Sequence, residues 1–213
     1  MFGLRLSALG VFVCFTLVGC GEALKGENGD TDTDGADAGG DGDGDGDGDG
    51  DGDGDGAAGC SADGKAVVDA INVERNKVGL QPIPISPSLC TVAQTHCEDL
   101  TQNSPDTGQC NLHSWSDQGT WSACCYTSDH AEAQCMWDKP QELTVYPGNG
   151  YEISYAGGNT AEGAVQGWLS SPPHKAVMLN EGQWDKEWKA IGGGHDNGHW
   201  NVWFGHEADP GRN

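Results

Sequence analysis

Basic residues are scarce in this chain: ten Lys and Arg stand against 33 Asp and Glu over 213 residues, a net charge of −23 with His neutral. That balance offers no basic patch to a nucleic-acid backbone or an anionic lipid headgroup, and argues against both as partners. Long apolar runs are missing as well, since the one candidate, Leu6 to Gly19, stops short of the ~20 residues a membrane span needs. No two cysteines keep the C-x-x-C spacing of a zinc site. Nor does any nucleophile stand beside a base to make an assembled catalytic constellation.

The N-terminal segment that is present reads as an export signal over residues 1–19, with Arg5 at its positive end. It closes Leu17-Val18-Gly19-Cys20, which resembles the bacterial lipobox and implies cleavage before Cys20 and acylation of that cysteine. Two or three acyl chains anchor stably where one does not, so the expected partner is a membrane, reached through the anchor. The expected location is the cell envelope, facing periplasm or exterior. Residues 20–56 follow as a linker ending in eight consecutive Asp-Gly pairs. With no apolar periodicity, nothing offsets the entropy of ordering it, and it is expected to be disordered. A calcium loop needs an ordered set of ligands ending in a bidentate Glu, which a uniform repeat does not supply.

Residues 57–213 form the remaining domain, long enough for one substantial core. Beyond Cys20 it carries Cys60, Cys90, Cys97, Cys110, Cys124, Cys125 and Cys135. Seven cysteines in an exported chain read as disulfides with one left over. Cys60, beside the linker, is the candidate odd one. The other six still leave ten pairings after Cys90–Cys97 and Cys124–Cys125 are set aside as geometrically poor, and the sequence does not choose among them.

Apolar spacing predicts a helix over 63–78 with Gly79 as its C-cap, and a second opening at Ser86-Pro87 with Leu89, Val92, Ala93, Cys97 and Leu100 buried. His96 lies beside that stripe and reads as structural. Residues 110–149 are an aromatic, cysteine-rich excursion with at least one short strand, His113 at its entrance and His130 midway. Tyr151 to Tyr155 is strand-like, with Glu152 expected on the solvated face. A third helix starts at Asn159-Thr160. In GWLSSPPHKAVMLN, Ser171 is the expected N-cap and Pro172 opens a helix carrying His174 in its first turn, where the dipole favours a neutral ring. Asn197-Gly198 closes a hairpin; His195 and His199 straddle it and read as ordinary turn histidines.

Four ordered blocks resemble the CAP superfamily, the cysteine-rich secretory, antigen-five and pathogenesis-related proteins with their SCP-like domain. They are Asn72-Val73-Glu74-Arg75 with Gly79-Leu80, the Leu89-to-Leu100 helix leading to His113, the GWLSSPPHKAVML run, and Ile191-Gly192-Gly193-Gly194 with Trp203-Phe204-Gly205. The resemblance implies an α+β fold, a three-layer α-β-α sandwich around a mixed or antiparallel sheet. It also implies a cleft where two His and two acids meet, which in some relatives holds zinc or another divalent ion. His113 and His174 match the histidines. Glu152 matches the Glu of the Gly-Glu-Asn-Ile block, although alignment on Ile153 puts Tyr151 there. Ser171 stands where the second acid would be.

His113, Glu152, Ser171 and His174 are therefore the candidate cleft residues, and His113, His174 and Glu152 the candidate ligands of a divalent ion. Two imidazoles and a carboxylate make a plausible open zinc site. The missing acid removes a metal ligand and a candidate base, and the N-cap role expected of Ser171 occupies its hydroxyl. Three readings follow: a membrane-anchored module binding a small ligand such as a lipid or sterol, a metal-dependent hydrolase, and a structural surface protein with a vestigial cleft.

Overall fold

The computed structural model describes residues 59–212. The signal peptide, the lipidation at Cys20 and the linker of residues 20–56 lie outside the described residues.

Helix α1, Ala62–Lys77, starts where Ser61 accepts a hydrogen bond from the Gly64 N–H, and the chain leaves it through Gly79 at φ 80°. Its Val67, Val68 and Ile71 are buried, whereas Val78, expected on that stripe, is exposed. The Asn-x-x-Arg block acts as a clamp. The Asn72 amide donates to the Ile83 carbonyl at 3.1 Å and accepts from the Ile83 N–H at 2.8 Å, fixing the proline-rich connector. Buried Arg75 donates to the carbonyls of Gln81 and Met178 and to the Asn180 side chain.

Helix α2, Pro87–Asn103, has Ser86 as N-cap and Pro in its first turn. The Asp209 carboxylate, from the far end of the chain, accepts hydrogen bonds from the Ser86 hydroxyl and the Ser88 N–H and ties that cap down. Two short helices, α3 (Ala133–Trp137) and α4 (Lys139–Leu143), precede strand β1 (Gly150–Ala156). Helices α5 (Ala161–Ser170) and α6 (Pro172–Met178) follow, separated at Ser171-Pro172 because proline cannot continue the donor ladder. The hairpin β2 (Ala190–Asp196) and β3 (His199–Gly205) turns at Asn197 and Gly198, with φ 44° and 83° as a type I′ turn requires.

The sheet is antiparallel with strand order β1-β3-β2. On one face α1 and α5 pack Val67, Val68, Ile71, Val165 and Trp168 against Ile153, Ile191, Trp200, Val202 and Phe204. On the other, α2 packs Leu89, Val92 and Ala93 against Ala190, Trp203 and the aromatics of residues 110–149. The expected α-β-α sandwich is present, and the Gly192-Gly193-Gly194 run explains its thinness. A Cβ on Gly192 would lie 2.2 Å from the Cys90 nitrogen and one on Gly194 2.5 Å from the Ala93 carbonyl carbon, both in α2. One on Gly193 would lie 2.4 Å from the Gly64 carbonyl oxygen of α1. Both helices thus rest on bare strand backbone. Among the described residues no helix is long and apolar enough to cross a membrane.

The excursion corrects two expectations. Residues 110–149 contain no ladder strand, only an isolated bridge between Trp115 and Cys124, because their order comes from crosslinks rather than from alternation. The disulfides are Cys60–Cys90, Cys110–Cys125 and Cys124–Cys135, with Cys97 free and buried. Cys60 is not the odd cysteine: although it adjoins the linker, the packing of α1 brings it to a Cα–Cα distance of 5.0 Å from Cys90. Cys97 points into the core of α2, where burial pushes its thiol pKa well up and leaves it unreactive.

Candidate functional site

Glu152 organises the site. It sits in the middle of β1, paired with Trp203 of β3, and its side chain is wholly buried rather than solvated. Strand alternation sends Tyr151 to the opposite face, among Trp137, Trp184, Trp188 and His206. A buried carboxylate needs compensating partners, and Glu152 has two. Its Oε1 lies 2.5 Å from Nδ1 of His96, and its Oε2 lies 2.8 Å from Nδ1 of His113. Burial alone would raise the carboxyl pKa, but the two imidazoles outweigh it and hold it down at about 2.

His96 thus belongs to the site. Its Nε2 donates to the Ser114 carbonyl at 2.9 Å, and its ring stacks on Trp115 with centroids 4.2 Å apart and planes within 9°. From the sequence His96 stands beside the buried stripe of α2 and reads as structural; in the fold it is fully buried, where an imidazole needs a polar partner.

His174 arrives from the other side, in the first turn of α6. It is buried, its Nδ1 has no hydrogen-bond partner, and burial followed by the nearby His113 lowers its pKa to about 4. The two histidines, 61 positions apart in sequence, line one cavity. Ser171 does not line it, and although Ser171 is the N-cap of α6 its side chain makes no capping hydrogen bond. His195 and His199 stand apart: His195 stacks on Trp200 and reaches Asp63, and His199 meets Thr101.

The cavity holds about 650 Å³. Glu152, His113 and His174 meet in it, and Tyr126, Met136, Trp137, Tyr151, Pro172, Val177 and Trp184 supply most of the remaining wall. Among the described residues no Lys or Arg lines it; Glu181 does. His130, at φ 60°, also lines it and contacts the Tyr126 hydroxyl at 2.7 Å.

The Cysteine-rich secretory protein family model, CAP, matches residues 68–182, more than half of the chain. The chain belongs to the CAP family. No curated protein matches it. Similar solved structures include an extracellular SCP-domain protein of Bacillus anthracis, at 18% identity and TM-score 0.49, over 68% of this chain and 40% of that one. A cysteine-rich secretory protein of Staphylococcus aureus is 17% identical at TM-score 0.44, over 67% and 38%. An outer surface protein of Borrelia burgdorferi is 20% identical at TM-score 0.45, over 66% and 90%. The CAP chain described here thus spans about two-fifths of the first two.

A divalent ion at this CAP cleft meets a poor donor set. Among the described residues no group of three or more His, Cys, Asp or Glu is arranged to hold a metal ion. Glu152 already gives one oxygen to each of two imidazoles. That leaves two rings where a catalytic zinc takes three protein ligands, so the residues do not fit such a centre.

The protonation equilibria predict acid sensitivity. His174 titrates near 6.5 in the unfolded chain and near 4 when folded, so between those values the unfolded state binds more protons. Stability fully present at pH 7 is therefore lost as pH falls through that window, by about 3 kcal/mol. Glu152, lowered from 4.5 to about 2, extends the loss below pH 4.5. Urea melts from pH 7 to 4 should show a falling midpoint, and His174→Gln should flatten the upper part of the slope.

Proposed function

We propose that this CAP-family protein is an exported binding module that holds a small apolar or amphipathic molecule, such as a lipid or sterol, in the His113–His174 cavity. The observation that carries the reading is the cavity itself. Its volume lies within the range of ligand pockets, and its walls are mainly aromatic and apolar, with a small polar cluster at His113, Glu152 and His174. Three disulfides and the export signal read from the sequence support a location outside the cytoplasm. Acylation at Cys20 would hold the domain at the envelope membrane, on a linker long enough to let it sample ligands there.

Hydrolysis assisted by a metal has weaker support. It needs a third protein ligand, and Glu152, the candidate for that place, is already engaged by two imidazoles.

Saturable uptake of an environment-sensitive apolar dye tests the binding reading. One site per chain is expected, and Ala176→Trp, which fills the cavity from its wall, should weaken uptake at least tenfold without lowering the melting temperature. Non-saturable uptake, or uptake untouched by the substitution, would refute it.

A further inference from the structure

The hydrogen bonds of the buried cluster fix which head group the cavity receives. Nε2 of His96 faces the Ser114 carbonyl, which only accepts, so that nitrogen carries a hydrogen. Its Nδ1 faces Glu152 Oε1 across 2.5 Å, a separation that requires one proton between them. Whether that proton is on the ring or on the carboxyl, Oε2 is left as an acceptor. The remaining arrangement, with the proton on Oε2, would strand a buried imidazolium beside a neutral acid and is disfavoured. Nδ1 of His113, 2.8 Å from Oε2, is therefore the donor in that contact. In its neutral form the His113 ring then carries no hydrogen on Nε2, the nitrogen left over for the cavity it lines.

We propose that the cavity selects neutral apolar molecules headed by a hydrogen-bond donor, a hydroxyl in particular, with Nε2 of His113 as the acceptor. His96 acts here as a positioning residue through Glu152. Carboxylate and phosphate heads are disfavoured twice. They bring no hydrogen to Nε2 at neutral pH, and the lining has Glu152 and Glu181 with no Lys or Arg to pair them. The inference rests on the binding reading above and narrows it to a head-group class.

Calorimetric titration of the full chain at pH 8 with 1-decanol, decyl methyl ether and decanoate tests it. Decanol should bind about tenfold or more tighter than the ether, the cost of one lost hydrogen bond at a desolvated site, and decanoate should bind more weakly still. The nitrogen shifts of His113 should show hydrogen on Nδ1 and none on Nε2. They should keep that pattern in Glu152→Gln, whose amide can donate to His96 and accept from His113. Equal binding of all three probes, or hydrogen on Nε2, overturns the head-group rule while leaving an apolar pocket. Failure of every probe to bind saturably overturns the rule together with the binding reading.

Discussion

Glu152→Ala should destabilise the domain by about 3–5 kcal/mol, the cost of removing one partner from a buried charged cluster. The loss is not that of one salt bridge. His96 is fully enclosed, with Nδ1 turned to the carboxylate, and the substitution removes the partner that this buried nitrogen relies on. Helix α2 therefore keeps an unsatisfied imidazole at its centre. At 2–4 °C per kcal/mol for a domain of this size, the melting temperature should fall by roughly 10 °C. Glu152→Gln is the discriminating control. With His96 neutral, the amide replaces both hydrogen bonds, and the cost should drop to about 1 kcal/mol. A Gln variant as unstable as the Ala variant would show that the negative charge, not the hydrogen-bond pattern, holds the cluster.

Gly192→Ala is expected to cost about 3 kcal/mol, at the upper end of overpacking changes. The added methyl would meet the backbone of Leu89 and Cys90 at 2.2 Å. Backbone cannot rotate away as a side chain can, so α2 must lift, and with it His96. Loss of stability should therefore be accompanied by altered resonances of His96 and His113, though neither touches residue 192. Gly64→Ala makes the sign explicit. In an exposed helix interior this change gains about 1 kcal/mol, but here the methyl would lie 2.2 Å from the Gly193 carbonyl oxygen, and the variant should be less stable than the parent. Urea melts of the two variants decide both points.

The helices and hairpin were legible because their signals are local. Ser86 and Thr160 cap helices, and Asn197-Gly198 turns a hairpin, whatever the rest of the chain does. The pairing of His113 with His174 came from ordered family blocks, not from local pattern. Features set by long-range packing were misread. Glu152 alternates as a solvated residue would, and only the approach of His96 and His113 from other elements makes burial tolerable. Ser171 looked like an N-cap and stands at that position, but its hydroxyl takes no capping bond. Cys60 looked unpaired because adjacency to a linker says nothing about what lies beside it in space. The aromatic wall was invisible for the same reason: Trp137, Tyr151 and Trp184 belong to three separate segments that meet only in the fold.

The Cys60–Cys90 bond has a mechanical consequence. Tension entering from the N-terminal side reaches Cys60 and crosses directly to α2, so α1 lies in a slack, bypassed loop of the force path. A pull applied from that side would load α2 and leave α1 unpeeled. Reducing that one bond should lower the rupture force measured by pulling from the N-terminus against a C-terminal attachment.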